Sequence, residues 1–454
     1  MSSLFSALRS TADTLSAFQR GLTVSQNNVA NASTPGYARQ TQSLTSRSFD
    51  PSVPTTGGVR AGELISSRNE YLEAAVRRSI QDYNRWSQQA DSLSPMQDVI
   101  DIGATGGVSN ALDDLYASFS SWSTTPNDDT ARQNVLSKAG SLAAAFRSAD
   151  ASLSTASADA DNQMKSLVAR IDTLTKTLRD LNVSRTDTNL DPGADASFHA
   201  TLEELSEIAD VQAYRQSDGS WTVLLGGETP LVVGEFQYDV SVSSDASAAV
   251  VRDAAGRDIT DQIGSGKLGA LLDVRNRVVA GLRSGLNSLA ESVATQVNDI
   301  LTAGRVSDGP PEVGGVALFT FSDSGGAAAT LAVNPDITAS QLAAISPGPP
   351  YVSNGTALAL AKLASTSSID GSTFSAYYAS LAASLGNEVS TAETHRSIQE
   401  DSLSQAQELR QQASGVSLDE EAIKVLEFQK AYQAASKMIS VLSELTDTVI
   451  NMVN

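Results

Sequence analysis

Apolar and polar positions along this chain recur with two different periods, and the clearest helical pattern lies at its two ends. Over residues 1–30, Leu4, Leu8, Thr11, Leu15, Phe18, Leu22, Ser25 and Val29 follow spacings of three and four. This predicts one seam of an amphipathic helix. Thr11 and Ser25 are polar, so the seam is imperfect, weak alone and better inside a bundle. The helix should end near Asn31, because Thr34 precedes Pro35 and is biased away from helical angles. Pro35-Gly36 then offers the fixed and the permissive φ of a type II turn, with Tyr37 beside it. Over residues 416–454 a second helix is marked by Gly415, which breaks what precedes it, and by Ser417 with Glu420 in a capping box. Its stripe is Leu418, Ala422, Val425, Phe428, Tyr432, Ala435, Ile439, Leu442, Leu445, Val449 and Met452. Asp419, Glu420 and Glu421 crowd its first turn, where the helix dipole favours negative charge. At ~1.5 Å per residue, each helix would reach roughly 45–55 Å. Chain ends fray unless something ties them down, so such patterning asks for a partner: the other end, or another copy. A pair of core-facing helices in an ordinary monomer gives the same pattern.

Between the ends, residues 40–62 are rich in Ser, Thr, Gly and Pro and read as an extended connector. Residues 66–92 read as a helix broken near Ser94-Pro95. Helices over 108–121 and 128–185 are separated by Thr125-Pro126-Asn127-Asp128, and 186–196 is a loop. From Val211 the period shortens to that of strands, with Asp218-Gly219 and Gly226-Gly227 as hairpin turns, and strand-like text continues to about Ile263. A helix resumes over 268–301, residues 304–350 are mostly irregular, and helical text returns from Ala357 and dominates from Phe374 to Gln412. The predicted fold is mainly α with a smaller β-rich insertion, its N- and C-terminal helices paired as a coiled coil in an elongated, multi-domain subunit. The domains expected are 1–60 with 396–454, a terminal coiled-coil assembly domain; 61–205 with 267–303 and 355–395, a helical domain; 206–266, β-rich; and 304–354, an irregular Gly/Pro-rich segment.

Composition narrows the function classes. At 454 residues the chain is long enough for two to four domains with real cores. A net charge of −21 argues against nucleic acid and anionic membrane surfaces as partners. Absence of cysteine removes disulfides, thiolate nucleophiles and cysteine metal sites. The start MSSLFSALRS lacks the basic, then apolar, pattern of a secretory signal, and no stretch approaches the ~20 apolar residues of a membrane span.

Candidate chemistry is sparse. His199 and His395 read as surface or interface residues. Gly103 to Gly107 precede a helix without a strand leading in, and Gly266-Lys267 is followed by leucine, so neither makes a phosphate loop. Asp187, Asn189 and Asp191 open with calcium-loop spacing, but the glycine falls late at Gly193 and Phe198 stands where a bidentate glutamate is needed. Asp113-Asp114 and Asp419 to Glu421 read as helix faces or dipole partners. No catalytic residue, cofactor or metal is expected, and an enzyme is disfavoured.

The two ends carry a resemblance. The segment from Ser2 to Gln40, with NNVANASTPGYARQ (Asn27 to Gln40), resembles the N-terminus of the flagellar axial proteins, the family of rod, hook and hook-associated subunits. The tail from Ser414 to Val453 resembles their C-terminus. Ala38-Arg39-Gln40 after Pro35-Gly36-Tyr37, LGALLDVRNRVV (Leu268 to Val279) and TPNDDTARQNVLSKAGSLAAAF look like the hook-associated subunits that cap the hook and start the hook–filament junction. So does the Val297-Asn298 helix leading to Ala317-Leu318-Phe319. There are departures: DILTAGRVSDGPPEVGG follows Asn298 where the family carries a histidine and a glycine-aspartate pattern, the asparagine-rich loop between 172 and 205 is missing, and the chain passes quickly from Phe321 to Leu331–Ile345, where larger relatives hold a second β-rich insertion.

What the resemblance implies is a structural subunit, secreted unfolded through the flagellar export channel, that folds on assembly at the bacterial flagellum. Its terminal helices would line the inner tube and its intermediate domains would stack outward. The implied partners are further copies of itself in a ring, the hook protein, the adjoining hook-associated protein, and an export chaperone at the C-terminal helix, with no nucleic acid and no membrane insertion. The expected assembly interface is Leu4, Leu8, Leu15, Phe18, Leu22, Val29, Leu418, Val425, Phe428, Tyr432, Ile439, Leu442, Leu445, Val449 and Met452, with Pro35, Gly36 and Tyr37 as its elbow. Local charge agrees: residues 1–60 hold five basic and two acidic side chains, and 388–454 five basic and eleven acidic, so the arms attract. A hook or distal-rod subunit, or a soluble helical scaffold or adhesin, are the alternatives.

Overall fold

The computed structural model describes residues 2–50, 55–100, 107–184, 191–307, 309 and 312–453. The chain opens with α1 (Ser2–Ala30), followed by β1 (Gln40–Ser46), the short β2 (Phe49–Asp50) and β3 (Thr55–Thr56), and β4 (Val59–Ser66). Then come α2 (Glu70–Gln97), α3 (Val108–Thr124), the long α4 (Asp129–Ser184) and α5 (Pro192–Ile208). Six strands follow: β5 (Val211–Arg215), β6 (Trp221–Leu225), β7 (Thr229–Val233), β8 (Phe236–Gln237), β9 (Ser241–Ser244) and β10 (Ala249–Arg252). Next are α6 (Gly266–Asp273), a π-helical turn over Val274–Val279, and α7 (Ala280–Ala303). The remaining elements are β11 (Arg305–Ser307), β12 (Val313–Gly314), β13 (Phe319–Thr320), α8 (Ala327–Thr330), β14 (Ala332–Val333), α9 (Gly355–Lys362), α10 (Phe374–Ser414) and α11 (Leu418–Val453). The fold is mainly α with small sheets, as the periodicities predict.

Several boundaries differ from the sequence reading. The connector over 40–62 is an antiparallel ribbon, β1 against β4, with Gln40 opposite Ser66 and Ser46 opposite Val59. Helix α2 does not break at Ser94-Pro95 but runs through Pro95 to Gln97. Proline in a last helical turn forfeits one bond to the preceding turn and little else. The helix expected over 268–301 holds the π-turn, in which three consecutive side chains find separate partners. Arg275 reaches Asp161 at 3.2 Å and the Asp245 carbonyl at 2.5 Å. Asn276 accepts from Ala249 N–H and donates to its carbonyl, both at 2.8 Å, as a strand edge would. Arg277 pairs with Asp273 at 2.7 Å and Glu388 at 2.6 Å.

Two compact units are formed. One gathers residues 1–82, 171–238 and 399–454; the other gathers 83–170 and 239–398. The second holds the largest apolar core, where Phe119 and Trp122 of α3, Phe146 and Leu153 of α4, Val293 and Val297 of α7, and Phe374 and Tyr378 of α10 are buried together. In the first unit β5 to β8 form a four-stranded antiparallel meander. Its β6–β7 turn spans Gly226 to Glu228: Gly226 and Gly227 both have positive φ (59° and 76°), and Glu228 N–H bonds the Leu225 carbonyl at 3.3 Å. Alternate residues Trp221, Val223 and Leu225 of β6 point inward. Asn182 of α4 fixes this sheet, accepting from Trp221 N–H at 3.0 Å and donating to the Trp221 carbonyl at 2.8 Å.

Candidate assembly interface

Within the first unit, α1 and α11 lie antiparallel: Asn28 near the end of α1 meets Glu421 at the start of α11, and Gly21 meets Phe428 one heptad along each. The face of α1 that is fully buried is not the leucine seam. It consists of Ser10, Ala17, Gly21, Ser25 and Asn28, all small or polar. The physical reason is close approach. Thr14 Oγ1 accepts from the Val59 N–H at 3.0 Å and the Ser10 hydroxyl donates to the Gly57 carbonyl, so the ribbon backbone sits directly on the helix. A Cβ at Gly21 would stand 2.8 Å from the Phe428 ring. The apolar seam residues Leu4, Leu8, Leu15, Phe18 and Leu22 are half-buried beside this face, and Val29 is exposed.

Helix α11 begins where its sequence signals, at Leu418, with one half of the expected capping box formed. Ser417 Oγ accepts from Glu420 N–H at 3.4 Å, while the Glu420 carboxylate reaches across to Arg39 at 2.9 Å. Val425, Phe428, Tyr432, Ile439 and Leu442 are half-buried. Leu418, Leu445, Val449 and Met452 are exposed, Leu445 by 48% and Met452 by 80%. They share that exposure with Ile423 and Leu426 near the start of the helix, and with Met438 and Val441, from which spacings of four and seven lead to Leu445 and Met452 as one row. A shallow apolar depression lined by Ala434, Met438, Val441 and Leu442 lies along it.

The elbow is built from both ends of the unit. Tyr37 N–H bonds the Thr34 carbonyl at 3.1 Å, closing a β-turn across Pro35 and Gly36, whose φ is 72°. A Cβ on Gly36 would fall 2.3 Å from the Ala196 carbonyl oxygen of α5. The Gly36 carbonyl accepts from Arg68 at 2.6 Å, and Arg68 pairs with Glu73 at 2.6 Å and Asp195 at 2.8 Å. Glu73, itself buried, also faces Arg410 of α10, which pairs with Glu203. Burial pushes the neighbouring Glu70 carboxyl up against the opposing pull of Arg77 and Arg68.

Beside the turn stands a polar cluster that the apolar pattern did not reveal. Glu421 is fully buried, 3.1 Å from Asn28 Nδ2, 3.1 Å from Arg39 Nε and 3.1 Å from Lys424 Nζ. Burial alone would raise its carboxyl, but hydrogen bonds from Asn28, Lys424 and Ser25 and the Lys424 charge hold it below the usual range. Burial and the Glu421 charge together push the Tyr37 phenol up. The signal in the sequence is Asn28 and Glu421 themselves, polar residues standing on helix faces that are otherwise small or apolar.

The remaining candidates resolve as structure. His199 is a core residue rather than a surface one: it is fully buried, edge-on to Phe198 and Trp221, with Nε2 3.9 Å from Glu70 and from Asp195. His395 is half-buried and stacks on Trp86 at 4.3 Å. Asp191 caps α5, accepting from Gly193 N–H at 2.9 Å; Asp187 and Asn189 lie outside the described residues. Gly107 is the N-cap of α3, and Gly103 to Gly106 also lie outside. Gly266 starts α6 with φ 73°. Among the described residues no group of acidic, His or Cys side chains is placed to hold a metal ion, and no helix is long and apolar enough to cross a membrane.

The chain matches known proteins along its length. The profile of the flagellar hook-associated protein FlgK helical domain covers residues 93–319, half of the chain. That of the flagellar basal body rod FlgEFG protein C-terminal region covers 409–452, nearly all of α11. The flagellar hook-associated protein 1 of Bacillus subtilis is 27% identical over 99% of both chains. That of Escherichia coli is 23% identical over 96% of this chain and 98% of its own. The structure of the flagellar hook junction protein FlgK from Burkholderia pseudomallei superposes with a TM-score of 0.66 at 16% identity, covering 77% of this chain and all of the other, which shows a shared fold. With the helical domain matched over half its length and relatives aligned from end to end, this chain belongs to the FlgK family of flagellar hook-associated proteins.

Proposed function

We propose that this chain is a structural subunit of the hook–filament junction of the bacterial flagellum, exported unfolded and ordered on assembly through α1 and α11. The observation that carries the reading is the open apolar row on α11. Met438, Val441, Leu445 and Met452 are exposed in one row on a helix that already uses its opposite face against α1. Contiguous apolar surface of that kind marks an interaction site. Residues 1–60 with 396–454 act as the assembly domain in this reading. The half-buried Leu4, Leu8, Leu15, Phe18 and Leu22 are finished by neighbouring copies, and the hook protein, the adjoining hook-associated protein and an export chaperone on α11 are its other partners. The role is mechanical rather than catalytic.

Deleting the gene in a flagellated host tests this. Hooks should persist without filaments, and flagellin should be released into the medium; restoring the chain should restore filaments. Met438→Asp or Leu445→Asp, placed on the exposed row, should leave the soluble protein folded yet fail to restore filaments. Loss of hooks on deletion would instead favour a hook or rod subunit, a reading that the rod-type profile over 409–452 keeps in view. Unchanged filaments would favour a scaffold or adhesin.

A further inference from the structure

We propose that Glu421 and Asn28 fix the register in which α1 and α11 pair, so that the two helices close in a single alignment. The inference concerns pairing within one chain and holds whatever the chain assembles with. Apolar packing along the pair chooses a register poorly. The buried face of α1 offers Ala17, Gly21 and Ser25 in succession, a shallow groove in which a partner helix slides with little change of contact. The Phe428 ring packs against Gly21 in that groove, and the polar contacts act beside it.

Glu421 is different in kind. Its buried carboxylate is met from three places: hydrogen bonds from Asn28 and Ser25 on α1 and from Lys424 on its own helix, and the charge of the Arg39 guanidinium on the connector, 3.1 Å away. Sliding α11 by one heptad, roughly 10 Å, would carry that charge to the level of Ala17 and Gly21, which have no side-chain donor. A buried charge left without donors is strongly disfavoured, and a single buried polar position is the best-attested device for fixing register.

Asn28 completes the argument, because its amide is used to capacity. Nδ2 donates to the Gln40 carbonyl at 2.8 Å and to Glu421 at 3.1 Å; Oδ1 accepts from Gln40 N–H and the Tyr37 hydroxyl, both at 2.9 Å. Two donors and two lone pairs are all an asparagine amide has. The same alignment therefore also fixes the turn through Tyr37. It fixes the joint before α11 through Arg39, whose N–H bonds the Ser414 carbonyl at 2.9 Å while Ser414 Oγ bonds the Ser67 carbonyl at 3.0 Å.

The chain has no cysteine, so introduced pairs report alignment without background. In the full-length protein, Gly21→Cys with Phe428→Cys reports the observed register, and Ala7→Cys with Ala435→Cys reports the heptad slip that carries Glu421 to the level of Gly21. Intrachain closure is read from the mobility of the monomer band on a non-reducing gel. The first pair should close and the second should not. Adding Glu421→Ala should raise the slipped product relative to the aligned one by about tenfold or more, the scale on which a buried charge and its donors act. Asn28→Asp, which sets a carboxylate against Glu421, should reduce the aligned product at neutral pH, and Glu421→Gln should retain part of the selectivity. An unchanged ratio in Glu421→Ala overturns the proposal. So does loss of both products in that variant, which would make Glu421 a requirement for pairing rather than for its alignment.

Discussion

The core around Phe119 and the pair made by α1 and α11 are both helical, yet they are held by opposite means. In the unit of residues 83–170 and 239–398, large apolar side chains from α3, α4, α7 and α10 enclose one another, and Trp122, Phe119 and Phe146 have no accessible surface. Size and shape specify that core, as interior packing does generally. Between α1 and α11 the buried contacts are glycine, alanine, serine, asparagine and one carboxylate, while leucines of the same helices stay half-buried or open. Hydrogen-bond geometry specifies that pair and apolar area is left over. The difference teaches that a strong apolar stripe need not mark the surface a helix buries in its own chain.

The largest test of the contrast is to remove an aromatic ring from the enclosed core. Phe119→Ala should lower the stability of that unit by about 3–5 kcal/mol, the usual effect of a large cavity. Denaturant unfolding followed by Trp122 fluorescence, in a background where Trp86 and Trp221 are replaced by Phe, reads it directly. If Leu442→Asp on α11 shifted the same transition as much, the two regions would be one core and the contrast would fail. The expectation is that it leaves the transition unmoved.

A smaller effect should follow from Gly36→Ala at the elbow. A φ of 72° costs an ordinary residue about 1–3 kcal/mol, and here the added carbon would also meet the Ala196 carbonyl. Hydrogen exchange should accelerate over the turn and the start of α5 and leave α3 and α7 protected. Uniform exchange across the chain would show that the elbow is not a separately held element.

Much of this was legible in the sequence, and the exceptions share a cause. The start of α11 at Ser417, the hairpin at Gly226-Gly227 and the turn at Pro35-Gly36 follow from local chemistry, where one or two residues decide the backbone. The face that α1 buries does not. Its leucines set the apolar period, but the ribbon needs backbone contact, which Ser10 and Thr14 supply, and α11 needs Gly21 to seat the Phe428 ring. A second row of small residues at the same spacing was there to be read beside the leucines. The π-turn at Val274–Val279 has no glycine or proline to announce it; its cause lies in partners far along the chain, Asp161, Ala249 and Glu388. The ribbon and Glu421 were missed for the same reason: what fixes them is distant in sequence.

The smallest expected effect concerns acid. In the folded chain the Glu421 carboxyl lies below its ordinary value of 4.5, so the folded state binds its proton less readily than the unfolded one. Its contribution to pairing is therefore complete above the unfolded value and is lost as pH falls through the folded one. The charged and titratable groups facing it are Arg39, Lys424, Glu420 and Tyr37. Comparing the native chain with Glu421→Gln isolates the buried group, because every other residue is common to both. Cutting by an acid-active aspartic protease beside Leu426 and Phe428 should rise more steeply below about pH 4.5 in the native chain than in the glutamine variant. Equal slopes would mean that Glu421 carries no special share of the pairing, and would return α1 and α11 to the ordinary apolar account that fits the core around Phe119.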